Sequence, residues 1–170
     1  MILGMSTSTF TLFHVVLSLV GILAGLVVLF GMFGSKRLAG WTALFLATTV
    51  LTSVTGYFFP ADRILPSHIV GAVSLVVLAI AILALYSRHL AGAWRWIYVV
   101  AAVASLYLNV FVLVVQGFLK VPMLKALAPT QSEPPFVIAQ FVVLAIFIVL
   151  GIAAVRSFRP QADTAALGAV

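Results

Sequence analysis

The chain has 170 residues, of which 65% are hydrophobic and 7% charged, with a formal net charge of +6. About a quarter of the residues of a soluble domain are charged, so this chain cannot cover a water-facing surface, and a soluble fold is excluded. A nucleic-acid partner is excluded too, because the nine Lys and Arg are scattered between apolar runs and form no basic stripe. Cysteine is absent, which removes dithiol electron transfer and structural disulfides.

A helix needs about twenty apolar residues to cross a bilayer. Five such runs occur, at residues 10–33, 41–59, 69–87, 96–119 and 136–155. The first closes at Gly34-Ser35-Lys36-Arg37 and carries His14 about one turn inside its start. Ser18, Gly21 and Gly25 continue the face of His14, and the Gly-x-x-x-Gly pair reads as a helix-packing contact. The second run holds six Ser or Thr but no charge, and Pro60 closes it. Left out of the membrane it would put a long apolar segment in water, so it counts as a span. In the short loop after it, Asp62 and Arg63 are expected to pair.

The third span is entered through Pro66-Ser67-His68 and leaves through Arg88-His89. The fourth starts at Trp96, and the fifth follows Pro134-Pro135, whose missing N–H groups do no harm in a first helical turn. The expected fold class is therefore all-α. It is an integral membrane helical bundle of five transmembrane helices in one domain, residues 1–170, with a short polar tail at 156–170. No cleavable signal peptide is expected, since the first apolar run lacks a basic leader and is too long for a signal core.

Alternate ends of the spans differ in charge. Lys36, Arg37, Arg88, Arg95, Arg156 and Arg159 lie on one side, against Arg63, Lys120 and Lys125 on the other. Cytoplasmic loops carry the excess of Lys and Arg, which puts the N-terminus outside and the C-terminus inside. The excess also suits contact with anionic lipid. Trp41, Trp94 and Trp96 fall at the same cytoplasmic boundary, where indoles anchor helices.

Polar residues inside the spans carry the functional expectation. At about 100° per residue, Asn109, Gln116 and Lys120 lie within about 40° on one stripe of the fourth helix, which Ser105 and Ala101 continue. Such a stripe is expected to face protein, because lipid penalises amides. The outer half of the bundle also receives His14, the Thr52–Tyr57 segment, His68, Ser74 and Gln140, with Glu133 in the loop before the last span. The halves on the basic side are bland. This asymmetry predicts one outward-facing polar pocket formed by His14, Tyr57, His68, Asn109, Gln116, Lys120, Glu133 and Gln140. The loop KVPMLKALAPTQSEPP is placed as its cap, with Glu133 expected to pair with Lys125 or Lys120.

The pocket is expected to bind or transport a small polar or anionic ligand. No span contains Asp or Glu, which counts against a cation relay and against a hydrolytic constellation; the reading leans to a non-enzyme. Two alternatives stand beside it. His14 and His68 from different helices supply the ligands for one bis-histidine haem b, or His14, Gln116, Gln140 and Tyr57 supply hydrogen bonds to a quinone. The partners expected are the lipid bilayer and a homo-oligomer or partner membrane subunit.

The run NVFVLVVQGFLKVPMLKALAPTQSEPPFVIAQ, with TSVTGYFFP and LPSHIVG before it, resembles a group of small proteobacterial multi-span inner-membrane proteins. That resemblance implies a bacterial inner-membrane location and no named activity. A looser likeness to small haem- or quinone-associated multi-span proteins rests only on a histidine near the start of a span.

Overall fold

A computed structural model describes residues 2, 4–61, 63 and 65–160. Asp62, with its expected pairing to Arg63, and the tail from 161 onward lie outside the described residues. The helices are α1 (Thr7–Phe33), α2 (Ala39–Gly56), α3 (Pro66–Ile82), α4 (Trp94–Lys120), α5 (Pro122–Leu127) and α6 (Pro134–Ser157). One π-helical turn, Leu83–Ser87, extends α3. Five of these helices are long and apolar enough to cross a membrane, counting α3 with its extension, and they coincide with the five expected spans.

Local chemistry sets the ends. Ser6 caps α1 by accepting the N–H of Thr9 at 3.2 Å, supplying one bond that a helix start otherwise lacks. Pro66, Pro122 and Pro134 each open a helix from its first turn, where proline fits best. The reversal between α3 and α4 is tight, with positive φ at His89, Leu90 and Gly92. Leu90 tolerates that conformation while buried, because its N–H reaches back to the carbonyl of Ala84.

The core lies where α1, α2, α3 and α4 meet. α4 touches α1, α3, α5 and α6, while α2 sits between α1 and α3. Close approach of α1 depends on its two glycines. A Cβ on Gly25 would stand 2.6 Å from Leu106 Cδ1 and 2.9 Å from the Phe45 ring, and one on Gly21 would meet Thr48 Oγ1 at 3.1 Å. The packing role expected of the Gly-x-x-x-Gly pair is what the glycines perform.

α6 sits at the edge of this bundle, mainly against α4. At its C-terminal end it is clamped. Arg95 at the start of α4 donates to the carbonyls of Val155 and Phe158, and Ser35 donates to the carbonyl of Ser157 at 2.6 Å while accepting the N–H of Arg159. Phe158 is buried beside Tyr98. A guanidinium on final carbonyls also complements the helix dipole.

Candidate functional site

α2 is the polar spine of the bundle. Thr42, Thr48, Thr49, Thr52, Ser53 and Thr55 are all buried. Threonine survives in an apolar span by returning its hydroxyl hydrogen to the preceding turn. Thr48 gives its hydrogen to the carbonyl of Leu44 and Thr55 to that of Leu51, each at 2.7 Å. The oxygen of each can still accept a bond from a neighbouring helix.

His14 uses this. Its Nδ1 lies 2.8 Å from Thr55 Oγ1. Because the Thr55 hydrogen goes to Leu51, the imidazole must be the donor, and neutral His14 therefore keeps a bare Nε2 as acceptor. Phe59 meets the ring edge-on at 5.2 Å and packs on Phe10 at the same distance. His14 is thus half-buried in an aromatic niche between α1 and α2.

Deeper along the same seam, α1, α2 and α4 converge on Gly21. Asn109 donates from Nδ2 to Thr49 Oγ1 at 3.2 Å, and both residues are buried. One turn away on α4, the hydroxyl of Ser105 is fully buried, and one turn away on α2 so is that of Thr52. Neither has a hydrogen-bond partner among the described residues. Beyond them Phe45 and Leu106, each 1% exposed, fill the space opposite Gly25. On the basic side of this plug Thr42 lies beside the Tyr98 phenol. A cavity of about 60 Å³ opens there, lined by Val28, Met32, Thr42 and Tyr98, with Lys36 and Arg37 at its rim.

The remaining expected site residues go elsewhere. Tyr57 faces α3, where its hydroxyl donates to the carbonyl of His68 at 2.7 Å and its ring stacks on the imidazole at 5.4 Å. His68 Nδ1 accepts the N–H of Leu65 at 3.2 Å, so the neutral ring carries its proton on Nε2. Ser53 donates to Ser74 on that same side of α2. Gln140 donates to the carbonyl of Phe111 at 3.2 Å, joining α6 to α4, and its Oε1 is buried without a partner among the described residues.

Gln116 and Lys120 correct the expected stripe: both are exposed, whereas Asn109, Ser105 and Ala101 on it are buried. Near its C-terminal end α4 packs through Gly117 on Leu124 of α5 and through Phe118 on Phe136 of α6. That packing turns Gln116 and Lys120 away from protein. The loop also settles differently from a cap over the bundle. Its α5 segment lies back on α4, and Gln131 donates to the carbonyl of Val115 at 2.9 Å.

Glu133 makes local bonds at the start of α6 in place of a lysine pair. Its Oε1 accepts from the N–H and hydroxyl of Thr130 and its Oε2 from the N–H of Ser132. Partial desolvation pushes its carboxyl up, but these bonds, with that from its own N–H, outweigh it and hold the group below its ordinary value. The eight expected residues are therefore distributed over several helix pairs and do not line one chamber.

The histidine pair does not fit a bis-histidine haem. Thr55 and Tyr57 point to opposite sides of α2, so His14 sits against one side and His68 against the other. An axial ligand also needs an unprotonated nitrogen directed at the iron, and the only bare nitrogen of neutral His68 is committed to Leu65. Among the described residues no group of three or more His, Cys, Asp or Glu could hold a metal ion. Compared with known proteins, the chain matches no family model, no curated protein and no solved structure.

Proposed function

We propose that this multi-span protein lies in a bacterial inner membrane with its basic end in the cytoplasm and binds a small polar or anionic solute along the seam between α1, α2 and α4. In this reading the protein is a carrier and not an enzyme. The observation that carries it is the pair of buried hydroxyls, Thr52 Oγ1 and Ser105 Oγ, that flank the Asn109–Thr49 bond without a partner. Leaving a buried polar group unpaired costs about 1–3 kcal/mol, and in a bilayer interior no bulk water relieves it. Hydroxyls and an amide suit a solute rich in oxygen. The described spans hold no carboxylate to attract a cation, and Lys36 and Arg37 at the inner cavity suit an anion.

The seam and the inner cavity are separated by Phe45 and Leu106. Passage therefore requires those two side chains to part, and the glycine face of α1 is the surface along which they can move. The test is a thermal-shift panel on purified protein with inorganic phosphate, nitrate, acetate, urea and glycerol as probes. At least one is expected to raise the Tm, with the shift lost in Asn109→Leu and Ser105→Ala but kept in Gln116→Leu. No shift with any probe, or a shift indifferent to Asn109 and Ser105, overturns the proposal.

A further inference from the structure

The surface between α4 and α6 is not flat. A groove of about 410 Å³ runs along it, open to the surroundings on one side. On α6 it is lined from Leu144 through Phe147 and Gly151 to Arg156, and on α4 from Val100 to Tyr107. The rise of 1.5 Å per residue makes the α6 side about 18 Å long. One leaflet's share of a roughly 30 Å hydrocarbon core is about 15 Å. The Tyr107 and Phe147 rings, 5.8 Å apart, lie at the end away from Arg156. Gly151 lines the groove opposite Val103, whose Cγ1 a Cβ there would meet at 3.4 Å, an ordinary contact, so a larger side chain would extend into the groove.

The chemistry is one-sided. Apart from the Tyr107 phenol the lining is apolar, and its one charged residue is Arg156, exposed in the last turn of α6. That end of the bundle also carries Lys36, Arg37, Arg88, Arg95 and Arg159, and no carboxylate among the described residues. An apolar channel one leaflet long, ending in a guanidinium within a cationic surface, is complementary to a single molecular shape. We infer that the groove holds one acyl chain of an anionic phospholipid whose phosphate is received by Arg156. Guanidinium matches phosphate geometry, and an acyl chain matches the apolar lining and the length of the groove.

The experiment takes the full chain from bilayers containing equal phosphatidylglycerol and phosphatidylcholine and counts retained lipids by native mass spectrometry. Wild type is expected to keep one phosphatidylglycerol in preference to phosphatidylcholine, because both lipids carry the phosphate but the choline ammonium of the latter is repelled by Arg156. Arg156→Gln brings the ratio close to one, and Arg156→Lys keeps most of it. Gly151→Leu, which fills the groove, loses both lipids while the protein stays monodisperse. Equal retention by wild type, an unchanged preference in Arg156→Gln, or a dimer that excludes lipid from this face each overturns the inference.

Discussion

α2 and α6 are both of bilayer length, yet 44% of an 18-residue stretch of α2 is buried within the protein against 6% of one of α6. α2 is also the least apolar of the spans and α6 the most apolar. In water the more apolar helix would be the one inside. Here hydrocarbon is the solvent, so the apolar helix needs no cover, while the threonine-rich helix must find hydroxyl and amide partners among its neighbours. Val137, Ile138, Phe141, Val142, Ile146 and Val149 of α6 are exposed on several faces. On α2 the hydroxyls of Thr48, Thr49, Ser53 and Thr55 are each engaged.

That contrast can be broken most forcefully at the glycines. Gly25→Leu drives a side chain into Leu106 and Phe45 beside α2 and is expected to cost about 3 kcal/mol or more, seen as loss of a monodisperse folded protein in detergent. Gly151→Ala on α6 meets only Val103 at ordinary contact and is expected to change stability by less than about 0.5 kcal/mol. Equal sensitivity at the two sites would remove the distinction between a packed spine and an outer helix.

A double-mutant cycle sharpens the comparison at smaller scale. Thr49→Val and Asn109→Leu should couple by about 0.6–1.7 kcal/mol, the range for hydrogen bonds between membrane helices. Additive effects of the two substitutions in reversible unfolding would show that the bond between α2 and α4 contributes nothing. The smallest effect concerns the start of α6. Glu133 titrates lower in the folded chain than its ordinary value, so its local bonds support the loop at pH above the usual carboxylate range. That support fades as pH falls through the folded value. Hydrogen-exchange protection at residues 130–137, corrected for the intrinsic pH dependence of amide exchange, should fall on acidification in wild type and stay constant in Glu133→Gln.

The five spans were legible because apolar run length is a one-dimensional property, and the turns were legible because Pro60, Pro66 and Pro134 mark them. The inward direction of Asn109 followed from helical spacing with Ser105. Spacing within one helix is silent about the helix opposite, so the pairings Asn109–Thr49 and His14–Thr55 lay beyond the sequence. Thr48 and Thr49 were missed as site residues although they share a helical face with Phe45 and Thr52. That recurrence within a span was the available signal. Gln116 and Lys120 were misdirected by extending the stripe past the point where α5 and α6 take over as neighbours of α4. The clamp of Ser35 and Arg95 on the end of α6 joins residues 122 and 63 positions apart, and no local pattern announces such a contact.

That clamp bears on how the molecule is made. α6 leaves the ribosome after the other four described spans. Phe136 and Gln140 seat it on α4 along its length, and Val155, Ser157, Phe158 and Arg159 then fasten its end to groups already in place. A chain cut short before Val155 would keep the upstream contacts of α6 with α4 but lose all four bonds of the clamp at once. The few residues at the end of α6 therefore tie it to segments far earlier in the chain, before α2 and at the start of α4.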